Sequence, residues 1–300
     1  MKEKMLVTGG SGFIGSHIVG ELRRLYDVTL CGRAAENDVR ADLTTDVPRL
    51  PEHYDIVFHA AGKAHTYPYT PVEQQEYFDV NFQGTKNLCS ALEAVGVPRS
   101  FIYLSTVAVY GCDSGEDIDE SWPLNGSSPY ALSKIAAERY LTDWCKAHGV
   151  ILSIIRAPLI AGPNPPGNLG AMIAGIRTGR YLRIGGSKAR KSMLMVQDLV
   201  LLIAMLADRG GIYNVSDDTQ PTVASIEETI ARQLGGRRIV AVPYAVAAVL
   251  ARIGDLLGHR SPFNTFKLKK LTATLTFSNA RAKADLGWSP TSVPDNFKIR

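Results

Sequence analysis

The chain has 300 residues, 45% of them hydrophobic and 21% charged, with a formal net charge of +4. That length exceeds a minimal domain and predicts one large domain, or a domain with an appendage. The charge is small and scattered, with no run of Lys or Arg longer than two, so it excludes a nucleic-acid surface while suiting an anionic small ligand.

Met1-Lys2-Glu3-Lys4 leads straight into an apolar run, with no hydrophobic leader segment, so the sequence predicts a cytoplasmic protein. Met5–Thr8 reads as a strand that runs through Gly9-Gly10-Ser11-Gly12-Phe13-Ile14-Gly15 into a helix. That helix, Phe13–Leu25, puts Ile14, Ile18, Leu22 and Leu25 on one face. Glycines let such a turn close tightly and approach a pyrophosphate, whose charge then faces the helix N-terminus. Gly9, Gly12, Phe13, Ile14 and Gly15 are therefore candidate cofactor-binding residues. The second strand, Val28–Cys31, ends in Cys31-Gly32-Arg33. An acidic residue at this point would bind the adenosine ribose hydroxyls and select NAD(H). The guanidinium of Arg33 suits a 2′-phosphate instead, so NADP(H) is favoured and NAD(H) stays possible.

Asp55–His59 reads as the next strand, and a helix is predicted over Val72–Val95, closed by Gly96. The strand Phe101–Ser105 brings Ser105 and Thr106 to its end. A helix then begins after Ser127-Ser128-Pro129, with Tyr130 and Lys134 on one face. A lysine ammonium beside a phenol is expected to lower the phenol's pKa, so that Tyr130 exchanges a proton with a substrate oxygen held by Thr106. Lys134 is also within reach of a nicotinamide ribose. Ile151–Arg156 supplies one more strand before the βα rhythm stops at the rigid loop Gly162–Gly167. Asp198–Ala207 reads as a helix and Ile212–Val215 as a strand. Ile239–Ala251 is apolar, interrupted by Pro243 and too short to span a bilayer, and is predicted as a core helix rather than a surface-lying one.

The pattern predicts an α/β fold, a Rossmann-type doubly wound parallel sheet with a smaller C-terminal substrate-binding α/β lid. Residues 1–160 form the NAD(P)-binding part, with 191–215 returning to it, and 161–190 with 216–300 form the lid. Cys31, Cys89, Cys112 and Cys145 include no Cys-x-x-Cys pair, so neither a metal site nor a disulfide framework is expected.

With these residues in view, the chain resembles the NAD-dependent epimerase/dehydratase family of extended short-chain dehydrogenase/reductases over nearly its whole length. The matching pieces include Thr8 to Gly15, Asp42-Leu43, His59 to Gly62, Asn81, Gly84-Thr85, Ser105-Thr106, Val109 to Gly111 and Tyr130 to Lys134. They continue through Arg156, Gly162-Pro163, Asp198-Leu199 and Asp285 to Pro290. The resemblance implies that Asp42 and Leu43 contact adenine and that Ala60, Ala61 and Gly62 line the cofactor cleft. Asn81, Ser105, Tyr130 and Lys134 belong to the same cofactor set. It also implies a nucleotide-diphosphate sugar substrate held by the lid, and a homodimer formed through the helices at Val72–Val95 and Pro129–Ala147.

Departures from the family pattern narrow the reaction. Sugar 4,6-dehydratases carry an Asp-Glu pair after the catalytic threonine, where this sequence has Val107-Ala108. The cysteine of the 3,5-epimerase/reductases is not matched by Cys112, which falls beyond the Tyr110-Gly111 turn. Leu159 stands where galactose-type 4-epimerases have asparagine. What remains resembles bacterial 4-ketoreductases and epimerase-like enzymes of surface-polysaccharide biosynthesis, with Arg190 or Lys191 as candidate diphosphate ligands. Lys63 and His65 are candidates to face the sugar. Reduction of a nucleotide-linked 4-keto sugar at C4 is the leading expectation. The alternatives are a 4-epimerase with tightly bound NAD, a dehydrogenase of a non-sugar alcohol, and a non-catalytic NAD(P)-sensing protein.

Overall fold

A computed structural model describes residues 1–64, 68–185, 188–256 and 263–299. Its centre is a seven-stranded parallel sheet made of β1 (Lys4–Thr8), β2 (Asp27–Gly32), β3 (Val39–Arg40), β4 (Ile56–His59), β5 (Ser100–Thr106), β6 (Ile151–Ala157) and β7 (Gly211–Asn214). The strands lie in the order β7-β6-β5-β4-β1-β2-β3. The chain winds outward from β1 to one edge, then returns to β4 and builds the other half. The switch between β1 and β4 leaves a crevice at the C-terminal ends of the strands, the usual ligand position in such sheets.

The central strands are continuous apolar runs because both faces are covered. On one face Met5, Val7, Ile56, Phe58 and Ile102 pack with Ile18 and Leu22 of α1 (Phe13–Leu25) and with Leu199, Leu202 and Leu206. On the other face Leu6, Val57, Phe101 and Tyr103 pack with Leu88, Leu92, Leu141 and Trp144.

The helix predicted over Val72–Val95 is α2 (Pro71–Phe78), a π turn (Asp79–Gln83) and α3 (Gly84–Val95). Thr70 and Glu73 close a reciprocal capping box at its start, and Gly96 leaves its end at a φ of 99°. The π turn, a feature that marks many functional sites, surrounds Asn81. Ser128 caps α4 (Pro129–His148), accepting from the Ala131 amide at 3.1 Å, with Pro129 in the first turn.

The smaller part is built around α5 (Gly167–Arg177), α7 (Val223–Gln233) and the paired strands Leu159–Ala161 and Met193–Met195, with α6 (Asp198–Leu206) between them in the chain. Leu169, Ile173, Ile226, Ile230 and Phe297 form its core. Ala282 and Trp288, from the stretch expected within the lid, are buried in the main core. The segment predicted as a core helix is instead a short strand, Val240–Val242, followed by α8 (Tyr244–Leu256). Only Ala247, Ala251 and Gly254 of α8 are buried. Small residues face inward there and large ones outward, so apolar content alone misplaced it. α8 packs on α9 (Thr265–Thr272) through Ala247, Ala251 and Leu268.

Candidate active site

A cavity of about 400 Å³ opens at the C-terminal ends of β1, β4, β5 and β6. Gly9, Gly12, Phe13 and Ile14 form one wall. Ala60, Gly62, Lys63, Ala64, Leu104, Ser105, Thr106, Tyr130 and Lys134 form the floor and the second wall. Ala157, Pro158, Leu159, Ile160 and Pro166 close the far side.

The glycine turn is shaped by contact distances. Gly9 has a φ of +75°, and a Cβ on it would stand 2.7 Å from the Ala61 nitrogen. On Gly15 it would stand 2.4 Å from the Gly9 carbonyl oxygen, so Gly15 holds the turn closed behind the cavity wall. A Cβ on Gly12 would meet only the Gly9 oxygen, at 3.3 Å. No side chain caps α1, so its first amides keep their capacity for an acceptor beside the cavity. A tight turn, open space over Gly12 and uncapped amides at a positive helix end fit a pyrophosphate.

The floor is held by a neutral histidine. Thr85 donates to the Asn81 carbonyl at 2.7 Å, so the His59 Nε2–H donates to the Thr85 hydroxyl at 3.0 Å. His59 Nδ1 then accepts from the Thr8 hydroxyl at 2.6 Å, and that oxygen accepts the Ala61 amide at 3.2 Å. Burial, reinforced by the Lys134 charge, pushes the His59 pKa down to about 3. Asn81 does not line the cavity. Its Oδ1 accepts the Lys63 amide at 2.7 Å, and its Nδ2 donates to the Ser133 hydroxyl at 2.9 Å and to the Lys63 carbonyl at 3.2 Å. Its work is to fix the loop carrying Gly62 and Lys63.

Tyr130 and Lys134 share one face of α4, as their spacing predicts, and both reach the cavity. The expected lowering of the Tyr130 pKa by Lys134 is not what the geometry produces. Burial pushes the phenol up, and a hydrogen bond with the Thr106 side chain pulls against it. Lys134 Nζ turns to the Leu104 carbonyl at 2.8 Å and stands 4.6 Å from the Tyr103 ring centre. Burial pushes its pKa down to about 8, with Glu138 pulling it up.

Ser105 contributes its backbone position, because its hydroxyl donates to Glu138. Sequence reasoning missed Glu138, which lies on α4 four residues after Lys134. Its carboxylate accepts Arg156 Nη2 at 2.8 Å and Nε at 3.3 Å, and both side chains are 4% exposed. Arg156 Nη1 reaches the Tyr110 hydroxyl at 3.0 Å, which donates to Asn214 Oδ1 at 2.7 Å. This buried chain ties β5, α4, β6 and β7 together beneath Thr106.

Of the remaining candidates among the described residues, Lys63 alone lines the cavity. Lys63 is ion-paired with Glu76, and its Nζ stands 5.6 Å from the Tyr77 ring centre. His65 lies outside the described residues. Arg33 is exposed just beyond β2. Asp42 follows β3, its carboxyl held below the usual range by the Thr44 amide and hydroxyl, with Arg33 adding to the effect. Leu43 is buried beside it. Arg190 and Lys191 do not join the site. Arg190 donates to the Gln220 and Thr219 carbonyls at 3.2 and 3.4 Å, and Lys191 to the Lys270 carbonyl at 3.0 Å.

The model of the NAD dependent epimerase/dehydratase family matches residues 5–216, and the chain belongs to that family. Its relatives act on sugars. It is 27% identical over 311 residues to N-acetyl-alpha-D-glucosaminyl-diphospho-ditrans,octacis-undecaprenol 4-epimerase of Escherichia coli O157:H7, covering 92% of this chain and 88% of that protein. It is 28% identical over 251 residues to GDP-6-deoxy-D-mannose reductase of Pseudomonas aeruginosa, covering 77% of this chain and 80% of the relative. The fold matches that of RMD from Pseudomonas aeruginosa, solved in complex with NADPH, at a TM-score of 0.74 and 24% identity, over 97% and 96% of the two chains.

Proposed function

We propose that this protein reduces a nucleotide-linked 4-keto sugar at C4, with NADP(H) favoured over NAD(H). The observation that carries the proposal is the composition of the cavity wall. It presents the Thr106 hydroxyl, the Tyr130 phenol and the Lys134 amine, with no carboxylate among the described lining residues. Removal of water across C5 and C6 needs an acid and a base at the sugar, and Val107 and Ala108 supply neither. Leu159 stands in the apolar far wall beside Pro158.

A bound nicotinamide dinucleotide supplies the hydride. Gly9, Gly12, Phe13 and Ile14 would hold its pyrophosphate, and Arg33 the 2′-phosphate. Thr106 orients the substrate oxygen, and Tyr130 gives it the proton. A phenol pushed up by burial keeps that proton until an oxyanion begins to form, which suits a general acid in the reducing direction. Lys134, which also lines the cavity, would bind the nicotinamide ribose.

A second reading, a 4-epimerase, uses the same residues and is favoured by the Escherichia coli relative, whose substrate is a sugar on a polyprenol diphosphate. Denaturing the purified protein and identifying the released nucleotide by mass spectrometry separates the two. Protein that arrives empty and binds NADPH more tightly than NADH supports the reductase. Stoichiometric NAD that does not exchange with added NADPH supports the epimerase.

A further inference from the structure

We propose that α8 and α9 form a docking surface for an anionic lipid leaflet. The observation is an inverted helix. In α8 the inward stripe is Ala247, Ala251 and Gly254, while Val246, Val249, Leu250 and Ile253 fall at positions that share the outward face. Those four side chains are 48 to 56% exposed, and Leu256 is 88% exposed. Nine of the eighteen exposed large hydrophobics among the described residues lie between Val240 and Leu271, Phe266 and Leu271 of α9 among them. Clustering on two packed helices distinguishes this surface from the scattered apolar residues of ordinary exteriors.

Charge selects the occupant. From Arg237 to Thr272 the sequence carries seven Lys or Arg against a single acid, Asp255. Asp255 is tied down, accepting the Thr265 amide at 3.1 Å and its hydroxyl at 3.2 Å. Arg237, Arg238, Arg252, Lys269 and Lys270 are exposed, and Lys270 also pairs with Asp113 at 2.9 Å. An apolar face bordered by cations matches the interface of an anionic bilayer, where acyl chains accept the large side chains and headgroups the basic ones. A two-fold contact through α8 would instead gather the cations of both copies around one seam. No helix among the described residues is long and apolar enough to cross a membrane. The surface lies on the leaflet rather than spanning it.

The test is flotation of the full chain with vesicles of phosphatidylcholine alone or mixed with phosphatidylglycerol, at low and high salt. Wild type is expected to float with the anionic vesicles at low salt and to be released by salt. Leu250→Glu with Ile253→Glu, and separately Arg252→Glu with Lys269→Glu, are expected to lower that binding by about tenfold or more. All four positions are exposed, and unchanged nicotinamide-nucleotide binding in the variants verifies their folding. Wild type left at the bottom of the gradient overturns the proposal. So do charge variants that float undiminished, or a sedimentation-defined dimer that the apolar variants dissociate, which assigns the face to a second copy.

Discussion

Replacing Lys134 by Met should abolish turnover and at the same time make the ligand-free protein more stable at neutral pH. The lysine is buried, and its pKa is pushed from 10.5 to about 8, so the fold disfavours its charged form. A displacement of that size corresponds to about 3 kcal/mol at pH 7, at 1.36 kcal/mol per unit. Methionine removes that penalty and fills similar volume, while losing the hydrogen bond to the Leu104 carbonyl, worth about 1 kcal/mol. The net expectation is a gain of about 2 kcal/mol. The sign follows from proton binding. Above the folded pKa of about 8 the native lysine gives up its proton while the unfolded chain keeps its own up to 10.5, so wild-type stability rises through that window. The advantage of the variant is therefore full below pH 8 and shrinks toward pH 10.5. Urea unfolding of both proteins at pH 7 and near pH 10, read as free energies, tests this directly. A variant no more stable than wild type at pH 7, or a gain that ignores pH, would refute the argument that burial sets the lysine's state.

Three further outcomes follow from the same geometry. Glu138→Ala should cost about 3–5 kcal/mol in urea unfolding, because it leaves the buried Arg156 guanidinium without its carboxylate. Converting both residues to Met should cost less than Glu138→Ala alone, and a cost for that single change below about 1 kcal/mol would remove the pair from the account. Tyr130→Phe should reduce kcat by a factor on the order of 10² to 10⁴ while nicotinamide-nucleotide affinity, read by fluorescence titration, changes little. Retained turnover in that variant takes the proton transfer away from Tyr130. Arg33→Ala should weaken NADPH binding roughly tenfold to a hundredfold, the worth of a charge-assisted hydrogen bond, and leave NADH binding unchanged. Equal losses for both cofactors would mean that Arg33 does not read the 2′-phosphate.

The parts legible in the sequence are those whose physical constraint is local. The cradle needs glycine where a Cβ would strike backbone, as at Gly9 and Gly15, and such positions recur at short fixed spacing. Tyr130 and Lys134 announce themselves because one helical turn separates them. The buried strands are plain apolar runs. Glu138 was not legible, because an acid on an amphipathic helix looks like a solvent-facing residue, and its partner Arg156 lies on a strand that only the fold brings near. Its position one turn beyond Lys134 was the available signal. The π turn around Asn81 leaves no mark on the helical periodicity, which predicts one helix where the chain makes three pieces. Hydropathy misplaces α8 because it counts apolar side chains without asking which size faces inward; the stripe of Ala247, Ala251 and Gly254 holds that information. Arg190 and Lys191 carry the right charge for a diphosphate, and the hydrogen bonds of each to backbone carbonyls are set by the fold rather than by any local pattern.

Net hydride delivery to C4 is tested most directly by a labelling experiment. The protein would be incubated with NADPH deuterated at the transferable position of nicotinamide C4 and with a nucleotide-linked 4-keto sugar, and the product examined by NMR and mass spectrometry. One deuterium at sugar C4 and one NADP⁺ formed per product are expected. Unchanged 4-keto sugar with no NADPH consumed, together with C4 epimerisation of the corresponding 4-hydroxy sugar in a parallel incubation, would refute net reduction and assign the site to internal epimerisation.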